Sequence, residues 1–201
     1  MSNRLSNNFN FVDIGTSDFD TCVDFLKPGQ RALLVEPLKY YLDRLPDGPG
    51  ITKVNAALSS KKGRGKMYYV KEELIHQYGL PNWIRGCNSF NKEHPTVVKL
   101  FEELKLPLDL ITCERVKVLT FWDLVQKFNI HRIEFVKIDT EGHDHIILKE
   151  ILECMRGGLK ISQIRVEYNP FFGNTGKLDK LINGSNYKQA YLIEDNAVIQ
   201  F

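Results

Sequence analysis

Short apolar runs alternate along the chain with amphipathic stretches, and Gly, Pro, Asn and Asp punctuate the boundaries. Residues 9–14, 31–36 and 51–58 read as strands. A helix running to about residue 27 and a shorter one over 37–44 fall between them. This β-α-β-α-β rhythm predicts a parallel sheet with helices on its faces. The pattern then loosens. The segment "KKGRGKMYYV" reads as a turn leading into a short strand. Residues 76–95 carry Gly, Pro and Asn without periodicity and read as a long loop, either a binding loop or a solvated insertion. Regular alternation resumes with a helix over 96–104, a strand over 114–119, a helix over 120–128, a strand over 133–139, a helix over 143–155, a strand over 161–168 and a helix over 177–183. The end of the chain predicts an antiparallel hairpin, 187–193 with 197–201, turned by Glu194, Asp195 and Asn196.

Length and composition narrow the class. The chain has 201 residues, enough for one domain with a sizeable core, and its first eight residues are expected to be disordered. A formal net charge of +2 gives no reason to expect nucleic acid as a partner. Four cysteines lie far apart with no CxxC pair, which argues against zinc and for reduced intracellular thiols. No apolar run approaches a membrane span and the N-terminus lacks a signal-peptide core, so a cytoplasmic protein is expected.

Candidate chemistry gathers where predicted strands end. "FVDIGTSDFD" places Asp13 and Gly15 at the first strand–helix turn, where a doubly wound sheet binds ligands. A dinucleotide site wants further glycines there, but Ser17, Asp18 and Phe19 follow instead, and acids at 13, 18 and 20 would repel a diphosphate. A cationic nucleoside without phosphate, such as S-adenosylmethionine, fits better. Glu36 ends the second strand about 20 residues on, where an acid can hold ribose hydroxyls; it also suits a helix N-terminus, with Pro37 as the first helical residue.

With "FVDIGTSDFD", "LLVEP", "VNAALSS", "GCNSF", "FVKIDTEGHDHIIL" and "IRVEYNP" in this order, the chain resembles the FkbM-type methyltransferases from about residue 9 to 170. The most specific piece spans Lys137, Ile138, Asp139, Glu141, Gly142, Asp144 and Leu148. The resemblance implies a Rossmann-like class I methyltransferase fold, an α/β, doubly wound, mostly parallel seven-stranded sheet closed by the antiparallel hairpin. It implies S-adenosylmethionine as methyl donor, S-adenosylhomocysteine as product, and methylation of a sugar hydroxyl, such as O2 of a deoxyhexose. By that likeness Asp13, Gly15, Thr16, Ser17, Glu36, Pro37, Ala56, Ala57, Ser89 and Asp139 are expected to hold the cofactor. The family pattern usually has Asn and a second glycine where Ser17 and Phe19 stand, and Phe19 can narrow the cofactor pocket or pack beneath it. The early start of the first motif suits a module of a longer glycan-building polypeptide, such as large DNA viruses encode, whose other domains would then be partners.

Methyl transfer to an alcohol needs an aligned oxygen and an acceptor for its proton. Asp139, Glu141 and His143 are the candidates, with Asp139 expected nearest the reacting centre. Glu141 alternatively accepts backbone N–H groups at the next helix start, and His143 alternatively lies exposed in the first turn. His145 falls on a different helix face and is expected to be structural or solvent-facing. Trp83, Asn88, Lys137, Glu167 and Asn169 are candidates for the acceptor site, with Phe90 as a second aromatic platform. Asp139 and Glu141 could bind Mg²⁺, but none is expected and no metal site is assigned. Two other readings compete: an NAD-dependent sugar oxidoreductase or epimerase, and a non-catalytic methyltransferase-like partner module.

Overall fold

The computed structural model describes residues 7–18 and 21–201, without the side chains of Asn7 and Cys22. The expectations for residues 1–6, Phe19 and Asp20 lie outside the described residues, while residues 7 and 8 are ordered in the first strand.

Four parallel strands lie side by side in the main sheet: β1 (Asn7–Ile14), β2 (Ala32–Val35), β3 (Ile51–Val54) and β8 (Ile130–Ile138). β9 (Lys160–Glu167) adds in parallel to β8, and the hairpin β10 (Gln189–Ile193) and β11 (Asn196–Gln200) closes the far edge. The order is β10-β11-β9-β8-β1-β2-β3, seven strands with β11 antiparallel to its neighbours. This is the fold class the alternation predicts. Strand order reverses beside β1, so the carboxyl ends of β1, β2 and β8 open a crevice.

The sheet is buried on both faces, which is why its strands read as continuous apolar runs. In β2, Leu33 and Val35 enter the large core cluster with Val12, Val136 and Ile164, while Ala32 and Leu34 pack on the opposite face with Leu42 and Leu45. Leu42 belongs to α1 (Lys39–Arg44). The large core is roofed by α4 (Phe121–Phe128), α5 (Asp144–Arg156) and α6 (Thr175–Asn183). α5 buries Ile147, Leu148, Ile151 and Leu152, the stripe that its spacing dictates. Thr120 and Asp123 start α4 with a reciprocal capping box.

Three expectations fail. The expected helix after Gly15 is reduced, among the described residues, to one 3-10 turn over Cys22–Phe25, capped by Thr21. Asp, Ser and Thr compete there for their own backbone, and Pro28 and Gly29 forbid extension. The expected strand over 51–58 divides between two sheets. After β3 the chain turns at Asn55, whose Nδ2 donates to the carbonyls of Glu36 (3.0 Å) and Pro37 (2.8 Å). It then enters β4 (Ala57–Leu58), which pairs with β7 (Thr112–Leu119). β5 (Gly63–Tyr69) and β6 (Ser89–Phe90) complete a second sheet, ordered β4-β7-β5-β6. The segment read as a loop contains β6 and a 3-10 turn over Asn82–Gly86, flanked by α2 (Glu72–Gln77) and α3 (Pro95–Glu103). These pieces bury their own cluster around Ile84, Val97 and Phe101. Among the described residues no helix is long and apolar enough to cross a membrane.

The tips of β1 and β8 meet at Gly15. Its φ is +77°, and a Cβ there would lie 1.8 Å from the Asp139 carbonyl oxygen. Gly29, at φ +84°, has open space around the same position. Gly29→Ala should therefore cost only the left-handed penalty of about 1–2 kcal/mol, whereas Gly15→Ala should cost about 3 kcal/mol or more. Urea unfolding of the two variants measures the difference.

Candidate active site

The crevice at the strand tips is a cleft of about 720 Å³, including space open to solvent. Gly15, Thr16 and Ser17 form one wall with Glu36 and Pro37, and Ala56, Ala57, Met67, Asn88 and Phe90 form a second. Lys137, Asp139, Thr140, Glu141 and His143 line the third side. Thus most of the expected residues come together, from the loops after β1, β2, β3 and β8 and from the second sheet.

Asp13 does not line the cleft. It is fully buried beneath the turn, where the Thr16 hydroxyl donates to its Oδ2 at 3.2 Å. Ser17 adopts φ +49°, which turns its N–H toward Glu36 Oε2 (3.2 Å), while Glu36 Oε1 accepts from the N–H of Leu38 (2.8 Å). Glu36 is thereby fixed, and burial raises its pKa to about 7, opposed by those two N–H donors. Among the described residues, the buried Ser17 hydroxyl and Asn88 side-chain oxygen have no hydrogen-bond partner. Such groups are costly unless a ligand or water meets them.

The electrostatic argument from Asp18 fails. Arg85 and Arg44 hold its carboxylate at 2.7 Å and 3.0 Å, so its charge is already neutralised by the second-sheet segment and α1. Ser89, although buried, and Trp83, half exposed, are not among the cleft-lining residues.

Around the third side lies an acidic cluster. One oxygen each of Asp139, Glu141 and Glu167 falls within 4.8 Å of the others. Glu167 comes from the end of β9, and its Oε1 accepts weakly from Asn169 Nδ2 at 3.5 Å. Asn169 itself caps the 3-10 turn Pro170–Phe172 through the N–H of Phe171 (3.0 Å). Lys137, only 2% exposed, sets its ammonium 3.2 Å from Asp139 Oδ2. That contact answers why a lysine interrupts an apolar strand: it supplies positive charge to the acids. Burial first, then the neighbouring carboxylates, push the pKa values of Glu141 and Glu167 upward. Three acids at this spacing can share a proton or bind a small cation; Lys137 and one retained proton offset two of their three charges.

The loop between β8 and α5 is built by Asp144. Its Oδ1 accepts from the N–H and hydroxyl of Thr140 (2.9 and 3.1 Å), and its Oδ2 accepts from the N–H of Gly142 (3.0 Å). The backbone-accepting role that the sequence offers to Glu141 therefore belongs to Asp144. Glu141, at φ +53°, instead turns toward the insertion, where His94 Nε2 lies 3.0 Å from its Oε2. His143 faces the cleft edge-on to Phe90 and hydrogen-bonds the Ser59 hydroxyl at 3.0 Å. It therefore lies on the cleft wall and not exposed in the first turn. His94 and Phe172 escape a sequence reading, and Asp144 is marked there only as a position of the family motif, without its role. His94 alone left a trace: it directly precedes a proline that opens a helix, an N-cap position.

Glu36 makes a stability prediction. From an ordinary value of 4.5 to about 7 in the fold, the shift is worth about 3 kcal/mol. The folded state holds the proton longer, so this contribution falls as pH rises from about 4.5 to about 7. Buried His94 and His143, pushed down to about 4, act in the opposite sense below their usual range. The difference between wild type and Glu36→Gln isolates the carboxylate: the variant should gain relative stability by pH 7.5 and not at pH 4.5, measured by urea unfolding.

Comparison with known proteins agrees with this architecture. Residues 13–189 match the Methyltransferase FkbM domain. No curated protein sequence shows a significant match. A solved structure, methyltransferase FkbM from Methylobacillus flagellatus KT, superposes with a TM-score of 0.55 at 12% identity, over 98% of this chain and 44% of that one. At that identity the likeness speaks for the fold alone, and this chain spans less than half the length of that neighbour. By the family match over most of its length, the chain belongs to the FkbM methyltransferase family.

Proposed function

We propose that the protein is an S-adenosylmethionine-dependent O-methyltransferase acting on a sugar hydroxyl, with a deoxyhexose of a glycan as the acceptor class. The observation that carries this reading is the convergence on one cleft of Glu36, from the end of β2, with Asp139 and Glu141, from the loop after β8. Its fit to the donor rests on the cleft itself. Glu36 is placed for ribose hydroxyls, and the buried Ser17 hydroxyl and Asn88 oxygen, without partners among the described residues, offer further polar contacts. Asp139 and Glu141 suit a cationic centre, and the small side chains of Ala56 and Ala57 leave room for a flat base. Asp13 would act from beneath, by shaping the Gly15 turn.

S-adenosylmethionine supplies a methyl group on a sulfonium; as the acceptor oxygen bonds to that carbon, the carbon–sulfur pair stays on sulfur and the hydroxyl proton is released. This chain's residues bind, orient and take that proton. The Asp139–Lys137 pair fixes the floor beside the reacting groups. Glu167 and Asn169, next to the acids rather than on the cleft wall, suit the acceptor side. Half-exposed Phe171 presents an aromatic face beside them, a better-placed platform for a deoxy sugar than Trp83.

The direct test offers isotopically labelled S-adenosylmethionine and a panel of deoxyhexose glycosides, read by mass spectrometry. Methylated glycoside is expected, and donor binding without transfer to any glycan would favour a non-catalytic module. Glu36→Ala should weaken S-adenosylmethionine binding about tenfold or more by calorimetry, whereas Asp139→Asn should lower turnover more than donor affinity. Unchanged donor affinity in Glu36→Ala would remove the ribose assignment.

A further inference from the structure

His94 sits at the N-cap of α3, far along the chain from the strand-tip motifs, yet it reaches their centre. It is 5% exposed. The N–H of Thr96 donates to its Nδ1 at 3.2 Å, so Nδ1 must present its lone pair. In the neutral ring the proton then resides on Nε2, and Nε2 can only donate to Glu141 Oε2, 3.0 Å away. The ring is also gripped from the loop after β9: Phe172 meets it edge-on at 5.2 Å and Phe171 lies parallel to it at 6.4 Å. Phe172 also backs Gly142, where a Cβ would come within 2.9 Å of its ring. Glu141 and Gly142 both have positive φ, at +53° and +98°. A non-glycine residue held in that region costs of order 1–3 kcal/mol and persists where its surroundings over-determine it. His94, Phe172 and Asp144 are those surroundings.

We propose that His94 is a positioning residue that holds Glu141 as the base for the acceptor hydroxyl. This rests on the methyltransferase reading above and deepens it. By occupying Oε2, His94 leaves Oε1 as the oxygen that takes the hydroxyl proton when the acceptor is methylated, before the proton passes to solvent. Lys137 and Asp139 face Glu141 from β8, Asp144 from α5, Glu167 from the end of β9, and His94 and Cys87 from the insertion. Among them His94 is the group whose tautomer is locked by the backbone. Burial first, and then crowding by the other acids, raises Glu141's pKa into a range useful for a base near neutral pH, while donation from Nε2–H favours its ionised form.

Two substitutions separate this role from capping. Asparagine is a strong N-cap and can still accept from Thr96, but it is too short to reach Glu141. Glutamine can carry an N–H to Glu141 and loses the cap. His94→Asn should therefore lower kcat about 10–100-fold, leave the KM for S-adenosylmethionine unchanged, and move the rise of the pH–rate profile to higher pH. His94→Gln should keep most of kcat despite a lower Tm. Wild-type kcat and profile in His94→Asn, or an equal loss of kcat in both variants, would overturn the proposal. A substrate-free readout keeps the result independent of the methyltransferase reading. Nitrogen-15 spectra of the free protein should show His94 as the Nε2–H tautomer, and carbon-13 titration should place the Glu141 midpoint higher in His94→Asn. An Nδ1–H tautomer, or an unchanged or lowered midpoint, would overturn it even if no acceptor were ever found. So would activity that chelation abolishes and Mg²⁺ restores, because the acids would then be holding a cation.

Discussion

Buried negative charge is the constraint around which this molecule is organised. Asp13, Glu36, Asp139, Glu141, Asp144 and Glu167 end four neighbouring strands or the loops beside them, at or below the same cleft. Taking carboxylates out of water is expensive unless each finds a counter-charge, a donor or a proton. The fold supplies all three. Lys137 stands against Asp139, backbone N–H groups converge on Glu36 and Asp144, and burial leaves protons on the crowded acids. Crowded acids with raised pKa values at one cleft are an arrangement that functional sites commonly show.

The second sheet gives that site its depth. An open Rossmann-like sheet offers only a crevice at its strand tips. Here β4 to β7 and the segment around α3 raise a wall that contributes Met67, Asn88, Phe90 and His94. Arg85 ties this wall back to the glycine turn through Asp18. The insertion is therefore fixed to the strand-tip side by ion pairs and by the His94–Glu141 contact, with its own apolar core beneath.

What could be read from sequence follows the range of the forces involved. Strands buried on both faces announce themselves as apolar runs, and the motifs at their ends mark Gly15, Glu36 and Asp139 correctly as neighbours. The helix after Gly15 failed because local Ser, Thr and Asp chemistry outweighed a weak periodicity. The division of 51–58 left no local signal, since both halves are apolar and only their partners differ. His94 was invisible for a related reason: a hydrogen bond between residues 47 apart depends on tertiary geometry that no spacing encodes. Asp144 stood in the motif, but the motif alone did not say that its carboxylate serves its own loop, through bonds to residues two and four positions away.

The turn at Asn55 has a consequence for how the cleft can change width. Within two residues the chain leaves one sheet and joins the other, while the Asn55 amide staples the crossing to the carbonyls of Glu36 and Pro37. Opposite banks of the cleft are thus parts of one short covalent span, unable to drift apart like packed but unconnected layers. Ligand selection here should come from side-chain reorientation over a rigid backbone frame, and entry should depend on small rotamer gates rather than on sheet-scale breathing.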